Sequence, residues 1–199
     1  MAYVLLFAAM QLSTWMTTVA VCLAGVAGSA QAQGNWDVVL NGRAIHVNAA
    51  QKWNEDNWGL GVEREFNPTG RWVKVALANG FKDSCGELSY MAGGGLKRRF
   101  RLFSDDLYFD VGMIGFLMTR EDVHHNRPFP GALPAVTIGT RRVALNLTYM
   151  PNSVVDHVTK ANLKDPDMKG VYFLQLKFDA TLFSPRARRR AHWLAEAGE

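Results

Sequence analysis

The chain has 199 residues, enough for one good-sized domain and little more. Its net charge of +4 and pI near 9.2 come without a basic face, so nucleic acid is not an expected partner. A hydrophobic content of 48%, with 18 glycines and 11 phenylalanines spread through short apolar runs, points to an all-β protein.

The first charge is Asp37. Residues 2–28 are largely apolar, and Ser29-Ala30-Gln31-Ala32 supplies an Ala-x-Ala cleavage site, so residues 1–32 are expected to be a secretory signal peptide. The run is also long enough for an uncleaved membrane helix. Of the two cysteines, Cys22 falls in this leader, which leaves Cys85 without a disulfide partner in the exported chain.

Beyond the leader, period-two alternation predicts strands over 36–46, 58–66, 71–79, 88–102, 107–118, 134–138, 142–150 and 171–182. In the first, Val38 and Leu40 share one face while Asp37, Asn41 and Arg43 share the other. In the third, Val73, Val75 and Leu77 align. Tight turns are expected at 67–70, 104–106 and 139–141, with longer loops over 48–57, 80–87, 119–133 and 151–170.

An even number of strands with alternating long and short connections is the pattern of an up-and-down antiparallel barrel. Apolar strand faces of this length suit one that crosses a membrane. A soluble lipocalin-like barrel would have the same strand count but a polar outside. The expected domain is thus an eight-stranded antiparallel transmembrane β-barrel over 33–183. The segment 184–199, with Arg186, Arg188, Arg189 and Arg190, is a basic extension that suits a short helix, a disordered tail or contact with anionic head groups.

Strand counting places the ends of the first and third strands at one mouth, which brings His46 toward Asp83 and Ser84. A lone His at a strand end is ordinarily a surface residue, and Asp-Ser in a loop is ordinarily turn chemistry. Together they offer a base, a hydroxyl and a carboxylate, the parts that acyl transfer needs. Cys85 could be a nucleophile but more simply fills the loop. His124 and His125 lack a carboxylate or Cys at metal-site spacing beyond Glu121 and Asp122, so no metal and no cofactor is expected. Gly93, Gly94 and Gly95 lack the Lys-Ser/Thr of a phosphate loop and instead leave room inside the barrel for an alkyl chain.

The loop FKDS followed by Ala92-Gly93-x-Gly95, together with WDVVLNGRAIH, PFPGALPAVTIG, TRRVALNLTYMPN and GVYFLQLKF, resembles the outer-membrane lipid A palmitoyltransferases of the PagP family over about 36–178. The resemblance implies transfer of a palmitoyl chain from a phospholipid to lipid A of lipopolysaccharide by a monomer in the bacterial outer membrane. It implies that His46, Asp83 and Ser84 are catalytic and that Gly95 is the floor of the acyl-chain pocket. Pro134 matches a proline flanking a gap in the family's barrel wall, whereas Asn41, Asn57 and Arg142 stand where the other three are expected. The alternative is a non-catalytic outer-membrane or lipid-binding barrel that keeps the scaffold.

Overall fold

The computed structural model describes residues 34–103, 106–158 and 165–183; the expected signal peptide and basic extension lie outside them. Eight strands follow in chain order: β1 (Gly34–Val47), β2 (Asp56–Phe66), β3 (Trp72–Lys82), β4 (Leu88–Arg101), β5 (Tyr108–Thr119), β6 (Phe129–Gly139), β7 (Val143–Pro151) and β8 (Gly170–Asp179). Each pairs antiparallel with the next, and β8 pairs back onto β1, so the sheet closes into a barrel. The connections after β2, β4 and β6 lie at one end, and those after β1, β3, β5 and β7 lie at the other, where His46 lies.

Four boundary differences from expectation are the largest. The last strand ends at Asp179 instead of 182, with a 3-10 turn over Ala180–Phe183. β3 runs through Lys82, so the connection after it is only 83–87. A short helix, α1 (Asn152–Val158), occupies part of the expected loop after β7. β6 begins at Phe129 instead of 134, with Pro130 and Pro134 inside it. Residues 129–134 pair only with β5, because the β6–β7 ladder starts at Ala135. Proline, with no N–H to donate, fits such a half-paired strand. The result is an opening between β6 and β7 in the mouth half of the wall. Its β7 side ends in Pro151, while Arg142 lies in the turn at the opposite end.

The outward positions are apolar. Leu40, Trp58, Leu60, Trp72, Leu96, Met113, Leu117, Leu145 and Leu176 are all exposed. The inward positions near the turn end are charged, an arrangement suited to a barrel with lipid outside. Lys177 Nζ lies 2.6 Å from Glu63, 2.8 Å from Glu65 and 3.0 Å from Asp37. Lys97 Nζ donates to Glu63 and Thr137 at 2.9 and 3.2 Å. Arg99 bridges Glu65 and Asp110 and lies over the Tyr108 ring. Thr137 donates to Asn146, completing a layer that draws on every strand except β3.

β3 instead points Val73, Val75 and Leu77 inward, so its aligned apolar face is the inner one. With Ile114 and Ala135, and with Met91 and Phe116 packed against them, they make an apolar layer that starts at the height of Lys97 and continues toward the mouth. Gly93 and Gly95 pair with Leu77 and Val75 in this layer, and Lys97 pairs with Val73 two residues further down.

One local feature reverses part of the sequence reading. The ladders from β1 to both neighbours shift register between Asn41 and Arg43. This bulge at Gly42 resets the alternation. Asp37, Val39 and Asn41 are buried, then Arg43 turns outward and Ala44 is fully buried. Strict alternation would have kept Arg43 inside with Asp37 and Asn41.

Lys177→Met should leave Glu63 and Glu65 short of their shared cation and cost about 3–5 kcal/mol. The check is denaturant unfolding of the refolded barrel in micelles. A midpoint equal to wild type would show that the charge layer is not what fixes the turn-end half.

Candidate functional site

The site forms where β1 ends and the connection after β3 begins. His46 lies on the inward side of β1 because of the Gly42 bulge, and its side chain is only 4% exposed. Its ring stacks on Trp53, with centroids 5.5 Å apart and planes 12° from parallel. Nε2 lies 3.1 Å from Ser84 Oγ, within hydrogen-bond reach. Nδ1 faces Glu55 Oε1 at 3.9 Å, an ion-pair separation too long for a hydrogen bond. Glu55 is held by Arg43 at 3.0 Å and by the His46 backbone N–H at 3.3 Å. The imidazole thus has a hydroxyl on one nitrogen and a carboxylate behind the other.

Asp83 is adjacent but works differently. It is 1% exposed. Its Oδ1 accepts the backbone N–H groups of Cys85 and Glu87 at 2.9 and 3.0 Å, and its Oδ2 accepts from Ser89 Oγ at 2.9 Å. Arg120, just past β5, approaches Oδ2 at 3.8 Å and is itself paired with Asp122. Gly86, at φ +89°, supplies the left-handed step that closes this turn. Asp83 therefore builds the turn that presents Ser84, while Glu55 is the carboxylate that faces the imidazole.

Asparagines hold the two loops together. The Asn54 backbone N–H donates to the Ser84 carbonyl at 2.9 Å, and Asn54 Nδ2 donates to the Asp83 carbonyl at 2.8 Å. Fully buried Asn57 accepts from the Ala44 N–H at 3.1 Å and donates to the Lys82 carbonyl at 2.7 Å, tying β1 to β3 across the start of β2. The connection after β7 is tied in as well, since Asp165 accepts the Gln51 N–H at 3.0 Å. A second apolar cluster of Ala44, Met168 and Val171 packs beside these ties, with Val155 and Phe173 against it.

The structure thus brings His46 and Ser84 into contact, places Asp83 next to Ser84 in the chain but facing Ser89, and puts Gly95 in the apolar layer below. Sequence reasoning missed Trp53, Asn54, Glu55 and Arg120. The available signal was WNED in a stretch read simply as polar loop. His125 is exposed, at φ 51° in a 3-10 turn over His124–Asn126. Among the described residues, the carboxylates close enough to share a cation are Asp37, Glu63 and Glu65, and the Lys177 ammonium lies among them.

Cys85 is exposed, with Arg120 Nη2 3.8 Å from its sulfur. Partial burial of the thiol and the nearby Asp122 push its pKa above the usual range despite that arginine. Since the thiolate is the reactive form, alkylation at pH 7 should be slower than for a free thiol and should rise only at more alkaline pH. Iodoacetamide labelling of a Cys22→Ser protein across pH 7–10 measures this; a fast-reacting thiolate at pH 7 would restore Cys85 as a nucleophile.

Residues 31–160 match the family described as antimicrobial peptide resistance and lipid A acylation protein PagP. The chain is similar to the lipid A acyltransferase PagP of Bordetella pertussis, 32% identical over 126 residues that cover 60% of this chain and 68% of that one. It is similar also to the lipid A acyltransferase PagP of Methylobacillus flagellatus, 35% identical over 100 residues, 50% of this chain and 53% of that one. Among solved structures, the Yersinia pestis outer membrane protein Ail aligns at a TM-score of 0.38 and 7% identity over 73% of this chain and 99% of that one, too distant a likeness to carry an argument. A closed eight-stranded barrel with His46 against Ser84 at its mouth, matched over most of its strands, belongs to the PagP family.

Proposed function

We propose that this protein is a lipid A acyltransferase of the outer membrane that moves a palmitoyl chain from a phospholipid to lipid A. The observation that carries the reading is the 3.1 Å contact between His46 Nε2 and Ser84 Oγ above an apolar inner layer. The relatives named as lipid A acyltransferases supply the acceptor class. The apolar outside supports a bilayer setting.

In this reading the donor's ester carbonyl sits beside Ser84. His46 Nε2 takes the proton of an acceptor hydroxyl as that oxygen attacks the carbonyl, and it returns the proton to the leaving glycerol oxygen. One ester bond breaks and one forms, with no redox change and no cofactor. Ser84 Oγ donates to the oxyanion, Glu55 faces the imidazolium, and Asp83 holds the turn in place. The opening between β6 and β7 gives a lipid lateral access to the interior at the same height.

Mass spectrometry of lipid A from cells with and without the expressed protein tests the activity. A gain equal to one palmitoyl group is expected, and unchanged lipid A from a correctly inserted barrel would favour the non-catalytic alternative. His46→Ala, Ser84→Ala and Asp83→Ala should each lower transfer roughly a hundredfold or more. Near-normal turnover in all three would move the site elsewhere.

Gly95 is proposed as the floor of the chain pocket, one inward position above the Lys97 layer. A Cβ there would meet the Met113 carbonyl oxygen at 2.3 Å and Ile114 Cγ1 at 3.0 Å, so a side chain must displace β5 as well as shorten the slot. Gly95→Ala should shift the donor-chain profile toward shorter acyl groups and lower the unfolding midpoint together. A less stable variant with an unchanged profile would take Gly95 out of the pocket.

A further inference from the structure

His46 is held at one nitrogen and on one face. Nε2 meets Ser84 Oγ, whereas Nδ1 is buried and makes no hydrogen bond, because Glu55 stands 3.9 Å away. An imidazole bonded at a single atom still turns about its broad second torsion, so its plane is set by the surface it stacks on. That surface is the Trp53 ring. The aim of Nε2 therefore depends on how firmly Trp53 is fixed.

Trp53 lies in the 48–55 connection, outside the strand ladders. On one side, Asn54 ties this connection to the carbonyls of Asp83 and Ser84. On the other side it meets Asp165, which is 1% exposed and accepts the Gln51 backbone N–H on Oδ2 at 3.0 Å. This bond holds the Asp165 carboxyl below its usual range, so the group is an anion. The Trp53 indole N–H acts on the same carboxylate. Trp53 Nε1 and Asp165 Oδ1 are both buried, and neither makes a regular hydrogen bond, with the other or with any group among the described residues. A donor and an anionic acceptor with no other partner thus face each other behind the ring that supports His46.

Asp165 is itself firmly placed. Its carbonyl accepts the Met168 N–H and Asn152 Nδ2, both at 3.2 Å, which anchors it between α1 and β8. The Lys169 N–H donates to the Val47 carbonyl at 2.9 Å, and Met168 packs on Ala44. The stretch that carries Asp165 is therefore seated on the end of β1, the strand that carries His46.

We propose that Asp165 is a positioning residue for the acyl-transfer site: it holds the 48–55 connection and the Trp53 indole edge, and so fixes the plane on which His46 stacks. The inference rests on the acyl-transfer reading for its effect on turnover, but the ring placement it describes is measurable without turnover.

The test uses the full chain refolded in micelles, with a phospholipid donor and a lipid A acceptor. Asp165→Ala should lower kcat about tenfold and leave KM within about twofold, because the base loses its aim while lipid binding is kept. Trp53→Phe, which removes the indole N–H, should do the same, and the double variant should be no slower than the slower single. Asp167→Ala, an exposed neighbour in the same stretch, should leave both constants unchanged. Carbon–proton NMR gives the separate readout. The His46 ring protons, lying over the Trp53 face, should appear upfield of an exposed histidine, and Asp165→Ala should move them downfield. Asp165→Ser, which keeps a hydroxyl for the Gln51 N–H, is read in the same way if Asp165→Ala does not fold. A wild-type kcat in the Asp165 variant, a double variant about a hundredfold slower than wild type, or a His46 signal that stays in place would each overturn the proposal. If wild type transfers no acyl chain, the acyl-transfer reading fails, and the His46 signal alone then decides this inference.

Discussion

The barrel depends on one cation in its interior. Lys177 Nζ is within 3.0 Å of three carboxylates from β1 and β2, and Glu63 among them also takes the ammonium of Lys97 from β4. Removing these charges from water is expensive, and only near-complete pairing offsets the penalty. Because the partners come from strands far apart in the chain, the pairing forms only when the sheet closes in this register. A one-residue slip of any of these strands would turn its share of these side chains toward the outside. The charge layer therefore specifies closure and register, while the apolar outside accounts for compatibility with lipid.

That layer also divides the interior. Toward the turns it is filled by paired charges; toward the mouth, β3 lines the inside with Val75 and Leu77. The boundary falls between Lys97 and Gly95 on β4. Any chain entering from the mouth meets apolar walls and then a floor where an alkyl end would have to separate ion pairs. In the seam above it, Gly93 and Gly95 lack side chains where a Cβ would strike the backbone of β5. Their absence lets β4 and β5 approach closely in the apolar layer next to Lys97.

The mouth obeys a different constraint, hydrogen-bond satisfaction of interrupted strands. The bulge at Gly42 and the late start of β2 interrupt the ladder; the Ala44 N–H there is shared between the Glu55 carbonyl and buried Asn57, which in turn donates to the Lys82 carbonyl. Asn54 performs the same task for the carbonyls of Asp83 and Ser84. These two asparagines fix the separation between the loops that carry His46 and Ser84. Between β6 and β7, where prolines lack the donors a ladder needs, the wall instead opens. One side of the mouth is stitched by side chains, and another is left open.

The sequence alone determined the number of strands, the barrel and the meeting of His46 with the Asp83-Ser84 loop. Period-two patterning and turn chemistry are local properties, and both ends of the argument lie within a few residues of each signal. The FKDS and Ala92-Gly93-x-Gly95 pattern also led to the family. Local patterning could not show that Gly42 bulges, because a bulge is a relation to two neighbouring strands; with it came the true facing of Arg43, Ala44 and His46. Nor could it show that Glu55 and not Asp83 faces the imidazole, since that depends on how loop 48–55 folds over the mouth. The inward turn of the β3 apolar face and the buried charge layer likewise became visible only once closure assigned an inside and an outside.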